Sequence, residues 1–419
     1  MAVDKDLFLY DLAVVAIMKN ETPYVKEWLD YHILAGVDHF YIYDNETTDN
    51  FKEVLQPYID AGIVTYKFYP GAGKQVRAYN DAFKNYKFFC RYMFFIDADE
   101  FIFPQNNKSV VEVADEIFNT KKNLGGVEVN WIMYDSNNLE EADYSKGVLE
   151  RFTRRAAEVS DGVKTISNPR KINYIASMHY FEYYAGVSEI LADGSQNPKG
   201  VSDKIVVNHY WSKSKEEFLK KIKRGNAELY SAPHLTIESW RLNNQNDFFD
   251  DGILKYRDER KKICDGKGKQ IDYEKLVNAL IKNLAPILSG KATPEFFEGK
   301  METFLTCRAL ATFLKETVLG NERGELVEKA ALQAIYQTSL SKLTSDDVGL
   351  FISELPNILQ LNYPEVKEIL HISQNIVEKM KDEINLQMDS FGKSGLWRDF
   401  NDADNLLRML QVFDSYSHK

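Results

Sequence analysis

The sequence predicts an α/β domain followed by an all-α C-terminal domain, and three observations carry that prediction. Strand and helix signals alternate over about the first 110 residues, the pattern of βαβ units around a sheet. Within that stretch the run Tyr92-Met93-Phe94-Phe95-Ile96-Asp97-Ala98-Asp99-Glu100-Phe101 carries apolar residues straight into three carboxylates. From about residue 270 onward only helical periodicity remains. The expected division is an α/β domain over residues 1–235, a connecting segment over 236–269 and a helical add-on domain over 270–419.

Residues 12–17, Leu-Ala-Val-Val-Ala-Ile, form an uninterrupted apolar run, the mark of a strand buried on both faces. Thr22 and Pro23 read as N-cap and first helical residue. Val25, Trp28, Leu29, His32 and Ile33 then recur at helical spacing, and Gly36 stops the helix. Residues 39–43 are the second strand and end in a polar stretch that begins at Asp44. A helix carrying Phe51, Val54, Leu55 and Tyr58 follows, closed by Ala61-Gly62, and residues 63–68 are the third strand. Gly71-Ala72-Gly73 opens a further helix through Asn85, and the acidic run comes next.

After the first strand stands Met18-Lys19-Asn20-Glu21, with no G-x-G-x-x-G, and no Walker A sequence occurs anywhere. The two commonest phosphate cradles are therefore excluded. Residues 126–131 and 205–211 read as later strands, separated by polar loops that include Asn168-Pro169-Arg170 and residues 194–198. Ser214 with Glu217 forms a capping box opening a helix to about Leu229. In the C-terminal part Leu276, Ala279, Leu280 and Leu284 share one face, as do Val327, Ala330, Ala331, Ala334 and Ile335, and Val366, Ile369 and Leu370. Breaks are expected at residues 286–294, 320–324, 344–346 and Pro356.

A net charge of −11, from 52 basic and 63 acidic residues, argues against general nucleic-acid binding and leaves room for a local basic pocket. The abundant Tyr and Phe suit either stacking surfaces or core packing. Cys90, Cys264 and Cys307 are odd in number and far apart, so neither a disulfide framework nor a zinc spacing emerges. Residues 1–11 lack the apolar core of a signal peptide, and no apolar run of about 18 residues exists. The expected compartment is the cytoplasm, with no transmembrane segment.

Carboxylates at the carboxyl end of a buried strand repel one another unless a cation or hydrogen-bond donors compensate them. Two readings of Asp97-Ala98-Asp99-Glu100 stay open on the residues alone: a polar turn that ends a strand, or a divalent-metal site holding a phosphorylated ligand. Lys74 and Arg77 sit at the start of the Gly-opened helix, whose free N–H groups favour a phosphate, and both also fit as ordinary exposed basic residues.

The order of these segments resembles the GT-A fold glycosyltransferases, and residues 12–230 resemble the family-92-type and related family-2-like bacterial enzymes. The segments that carry the resemblance are Val15-Ala16-Ile17-Met18-Lys19-Asn20-Glu21, Glu27-Trp28-Leu29-Asp30-Tyr31-His32, Gly36-Val37-Asp38-His39-Phe40, Tyr43-Asp44-Asn45 and Gln75-Val76-Arg77-Ala78-Tyr79-Asn80. Phe95-Ile96-Asp97-Ala98-Asp99-Glu100-Phe101, Val129-Asn130-Trp131, Glu150-Arg151-Phe152, Val207-Asn208-His209-Tyr210 and the helix that runs from Lys213-Ser214 to Arg224-Gly225 continue it.

The resemblance implies a GT-A-type nucleotide-sugar-binding sheet with helices on both faces, and a metal-dependent transfer of a hexose, best taken as galactose, from a UDP-sugar. The acceptor would be a sugar on a glycan, a lipid carrier or a glycoprotein, and the outcome inversion. It implies Mn²⁺ or Mg²⁺ on Asp99, with Asp97 nearer the ribose or touching the ion through water, and His209 as a second protein ligand. Ala16, Lys19, Asp44, Lys74, Arg77, Asp97 and Lys213 would line the donor, Asp44 meeting the uracil or ribose. Trp131, His179 and Trp211 would meet the sugars. For the base Asp135 is favoured, with Glu182, Glu128 and Glu141 as rivals. The helical domain would recognise the acceptor or assemble with partner glycosyltransferases. The alternatives are a nucleotidyltransferase and a non-catalytic scaffold with a degenerate GT-A domain.

Overall fold

The apolar runs over residues 10–18, 39–44 and 90–95 become strands buried along nearly their whole length, as strands covered on both faces are. In the computed structural model, which describes residues 3–194, 203–224, 235–242, 244–364, 366–369 and 371–372, the chain divides into two units, Phe8–Asp272 and Met1–Leu7 with Tyr273–Lys419.

The first unit opens with β1 (Tyr10–Met18), α1 (Thr22–Ala35), β2 (His39–Asp44), α2 (Phe51–Asp60), β3 (Val64–Phe68), α3 (Gln75–Tyr86) and β4 (Cys90–Phe95). These strands pair in parallel in the order β3-β2-β1-β4, so their carboxyl ends share one edge. β5 (Glu100–Pro104), α4 (Val110–Phe118), β6 (Leu124–Met133), α5 (Val148–Arg151), β7 (Arg154–Arg155), β8 (Val163–Ser167), β9 (Ile172–Ile175), β10 (Phe181–Tyr183), β11 (Ser188–Leu191) and β12 (Ile205–His209) follow. The sheet continues β4-β8-β6-β12-β5 with mixed polarity, and β11 pairs with β6. Antiparallel pairing of β5 with β12 sets Glu100 opposite His209. That register brings a histidine from 110 residues downstream to the acidic turn between β4 and β5.

α1 covers β5 with polar as well as apolar contacts. The buried Trp28 indole donates to the Glu100 carbonyl at 2.8 Å and Tyr31 to the Ile102 carbonyl at 2.8 Å. Burial pushes His32 down to about 3, so the neutral ring accepts from the Ile102 N–H at 3.3 Å. The α1 N-cap is Glu21, not Thr22: Thr22 is the first helical residue, and its hydroxyl donates to Asp49 instead of the helix start. Gly36 ends α1 at φ +101°, and a Cβ there would meet Ser109 at 2.8 Å.

The capping box at Ser214 and Glu217 opens α6 (Lys215–Arg224). The expected continuation to Leu229 lies outside the described residues, as do residues 195–198 of the expected loop and Leu370. Residues 236–269, expected as a connector, contribute α7 (Ile237–Leu242), β13 (Phe248–Phe249) and α8 (Gly252–Ile263) to this unit. Arg260 of α8 donates to the Leu34 carbonyl at 2.8 Å.

The second unit holds α9 (Tyr273–Leu288), α10 (Pro294–Phe297), α11 (Met301–Leu314), α12 (Gly320–Ser339) and α13 (Ser345–Ile358). The break expected over residues 286–294 falls between α9 and α10, after Leu288, whereas Pro356 does not break α13 but lies inside its last turn, which runs on to Ile358. Thr344 caps α13, and Arg308 of α11 pairs with Glu354 of α13 at 3.0 Å in the interior. No helix among the described residues is long and apolar enough to cross a membrane.

Candidate active site

A cavity of about 390 Å³ opens along the carboxyl edge of the parallel strands. Ile17, Met18, Lys19 and Glu21 enter it from the end of β1, Asn45 and Glu46 from the end of β2, and Gly71, Ala72 and Gln75 from the start of α3. Asp97, Ala98 and Asp99 line its floor, Trp131, Met178, His209 and Trp211 its far side, and Lys221 and Arg224 of α6 a basic wall. This is the topological position at which open α/β sheets take ligands.

Asp97 is held by donors from three directions. Gln75 Nε2 lies 2.6 Å and the Tyr79 hydroxyl 3.4 Å from Oδ1, and Lys164 Nζ lies 2.9 Å from Oδ2. Lys164 comes from β8, is fully buried, and stands 3.7 Å from Glu100 Oε2. Burial alone would lower the Lys164 ammonium, but Asp97 and Glu100 hold it above its ordinary range. Glu100 is also fully buried, and Oε2 accepts the Asp97 N–H at 2.9 Å. Burial, opposed by Lys164 and reinforced by Asp97, pushes its carboxyl up to about 7.

Asp99 faces the cleft with different company. Lys221 Nζ lies 2.7 Å from Oδ2 and His209 Nε2 lies 3.5 Å from Oδ1. Burial raises this carboxyl, yet Lys221, His209 and Lys213 outweigh it and hold Asp99 well below the usual carboxylate range. The His209 ring packs on Trp131 at 4.6 Å, and its Nδ1 is buried without a hydrogen-bond partner, 4.0 Å from Glu100 Oε1. Gly162 makes room for Trp131, since a Cβ there would sit 2.1 Å from the indole.

Among the described residues no group of three or more His, Cys, Asp or Glu side chains is placed to hold a metal. The Asp99–His209 pair supplies two donors of suitable chemistry. Octahedral ligands at about 2.1 Å from one ion stand roughly 3 Å apart, close to the spacing seen, and Mg²⁺-like ions take their other ligands from water and phosphate.

Of the expected donor residues, Lys19 and Asp97 line the cleft. Ala16 is buried inside β1, one residue short of it. Asp44 does not line it: its oxygens accept from the Thr47 N–H at 2.8 Å and the Tyr66 hydroxyl at 2.6 Å, which fixes the β2 turn and leaves Asn45 and Glu46 facing the cavity. Lys74 and Arg77 also stand off the lining, Lys74 over the Tyr69 ring and Arg77 exposed, because the helix turns Gln75 inward instead. Lys213 is buried behind Glu21, its Nζ 3.8 Å from that carboxylate and 3.7 Å from the Tyr24 ring centroid.

Trp131 and Trp211 line the cleft, whereas His179 is one step removed, its ring edge-on to Trp131 at 5.2 Å and its Nδ1 2.9 Å from the Val163 carbonyl oxygen. Neither expected base lines it. Asp135 accepts the Asn246 N–H at 2.7 Å and is pushed up to about 6 by burial, and Glu182 is exposed on β10. Glu128 and Glu141 are likewise absent from the lining. Lys164 and Lys221 escaped the sequence reading, and Gln75 entered it only within the resembling segment 75–80. The signal for Lys164 was a lone charge inside an otherwise uncharged strand; for Lys221 it was helical spacing from Phe218, which packs on Trp211 at 4.9 Å.

The family model of glycosyltransferase family 92 matches residues 15–248. A family 92 protein of Ricinus communis is 24% identical over 220 residues, which cover 51% of this chain and 38% of that protein. A galactan β-1,4-galactosyltransferase of Arabidopsis thaliana is 32% identical over 99 residues, 21% of this chain and 19% of that one. The chain thus spans well under half the length of these relatives. Staphylococcus aureus TarS in complex with UDP superposes at a TM-score of 0.29 with 11% identity, covering 78% of this chain and 90% of TarS, too loosely to bear on function. The cleft, the acidic turn and the strand that brings His209 to it all fall within the matched residues, and the chain belongs to glycosyltransferase family 92.

Proposed function

We propose that this chain transfers a hexosyl group, galactosyl by preference, from a UDP-sugar to a sugar hydroxyl on a glycan, lipid-linked or protein-linked acceptor. The observation that carries the reading is the Asp99–His209 pair, 3.5 Å apart where the floor and far side of a strand-end cleft meet, with a basic wall beside it. Asp99 and His209 would hold Mn²⁺ or Mg²⁺, which supplies a Lewis acid to the departing diphosphate. Lys221 and Arg224 give that leaving group further positive charge, and Arg224 is aimed by the Lys19 carbonyl at 2.9 Å and by Glu21. Asp97, on the same floor, is offered to the ribose hydroxyls. Trp131 and Trp211 give flat apolar faces for sugar rings.

The galactan β-1,4-galactosyltransferase relative supports galactose as the sugar. It also supports inversion, because UDP-galactose carries its sugar as the α-anomer and that relative is named for a β linkage. A reducing, cytoplasmic setting suits the three unpaired cysteines. The helical unit is assigned to the acceptor or to partner enzymes.

Calorimetry with UDP, with and without Mn²⁺, followed by a screen of UDP-sugars for hydrolysis, tests this reading. It requires UDP binding that strengthens with Mn²⁺, and turnover of UDP-galactose above other sugars. Preference for a nucleoside triphosphate would make the chain a nucleotidyltransferase, and no metal-dependent UDP binding would make it a scaffold.

A further inference from the structure

Asp99 carries a cation of its own. Lys221 Nζ is 2.7 Å from Oδ2 and 3.3 Å from the Trp211 carbonyl oxygen, with the Trp211 ring beside it at 5.4 Å. The backbone of α6 is anchored on both sides of this residue, by Phe218 against Trp211 and by Arg224 on the Lys19 carbonyl and Glu21. Only the four-carbon stem and ammonium of Lys221 are left to move, and its side chain is 21% exposed at the cleft wall. Lys164, by contrast, is fully buried beneath Asp97 and has nowhere to go.

An ammonium and a divalent ion cannot share one carboxylate without strong repulsion. Lys221 therefore opposes a metal that arrives alone. A diphosphate changes the balance, since it offers the ammonium a second anion within the same cavity and frees Asp99 for the ion. We propose that Lys221 is a positioning residue that couples the two ligands: it holds Asp99 closed to a bare divalent cation and transfers to the diphosphate when nucleotide enters. The proposal rests on the metal-dependent reading above. Coupling of this kind is reciprocal, so Mn²⁺ must strengthen UDP by the factor by which UDP strengthens Mn²⁺.

The test is calorimetric titration of Mn²⁺ into the full chain, wild type, Lys221→Met and Lys221→Arg, each with and without saturating UDP, with free Mn²⁺ followed by electron paramagnetic resonance. In the wild type UDP should tighten Mn²⁺ by about 30-fold or more. Lys221→Met should bind Mn²⁺ alone about tenfold tighter than wild type, and its enhancement by UDP should shrink to a few-fold. Lys221→Arg, which keeps the charge, should keep the coupling. Equal nucleotide-free Mn²⁺ affinity in wild type and Lys221→Met, with the same enhancement by UDP, overturns the role of Lys221 and leaves the metal reading standing. Absence of Mn²⁺ binding in all three proteins with UDP present overturns the metal reading and this proposal together.

Discussion

Two lysines answer the two aspartates of the acidic turn, and their surroundings give them opposite properties. Lys164 reaches Asp97 from inside the sheet and is shut off from solvent, with Glu100 as its second anion. Lys221 reaches Asp99 from a helix on the cleft wall, with solvent and ligand space beside it. Burial makes the first pair part of the fold, because an ion taken from water and left unpartnered is far costlier than one partnered. The second pair is open on its lysine side only, because the Lys221 side chain is 21% exposed and faces ligand space in the cleft. One short acidic segment thus holds a fixed ion pair and a replaceable one.

Removal of the buried cation is the harshest way to break that contrast. Lys164→Met should cost about 3–5 kcal/mol of stability, since it leaves Asp97 and Glu100 facing each other without a counter-ion. Lys221→Met should cost less, because the cleft beside Asp99 admits water to the carboxylate that the lysine leaves. Urea denaturation of both variants against wild type measures the difference, and equal losses would erase the distinction.

Asp99→Ala tests the exchangeable side. With folding intact by circular dichroism, the proposed sugar transfer should fall by roughly 100- to 1,000-fold, the scale expected when one electrostatic contact to a developing charge is removed. Retained turnover would remove Asp99 from the chemistry.

The contrast also marks how far the sequence could be read. The strands, α1 with its Gly36 stop, and the Asp97–Asp99 turn were legible because apolar runs, glycine stops and strand-end carboxylates are local signals. Asp99 and His209 were linked by resemblance, and the register that sets Glu100 opposite His209 accounts for their meeting. The partners of the turn were not legible. Lys164 meets Asp97 only because β8 lies beside β4, and Lys221 meets Asp99 only because α6 folds back over the cleft. Asp44 shows the same limit: a strand-end carboxylate looks the same in sequence whether it faces a ligand or, as here, holds its own turn through Tyr66 and the Thr47 N–H.

Glu189 is the counterexample that sharpens the comparison, a largely buried carboxyl on β11 whose hydrogen-bond partner is the Tyr183 hydroxyl. Burial, with the nearby Glu128 adding to it, pushes it up to about 8, and the Tyr183 hydroxyl at 2.8 Å offsets this only in part. The folded chain therefore binds a proton there that the unfolded chain, titrating near 4.5, has released. Its contribution to stability is complete below the unfolded value and is lost as pH rises toward 8, at no more than about 1.4 kcal/mol per pH unit. Glu189→Gln should flatten the fall in urea midpoint between pH 5 and pH 8. An unchanged slope would place that pH dependence elsewhere.

The smallest effect is expected at Asp135, the carboxylate favoured as base from the sequence. It lies outside the cleft lining, and Oδ2 is taken by the Asn246 N–H at 2.7 Å, a bond that an asparagine carbonyl could still accept. A general base in the transfer step contributes about 100- to 10,000-fold. Asp135→Asn should therefore change turnover by less than about tenfold, far short of that range. A loss of about 100-fold or more, with the urea midpoint unmoved, would return the base role to Asp135 and require the loop at Asn246 to open when acceptor binds. The loop contact and the base role make opposite demands on the same oxygen, so the variant decides between them.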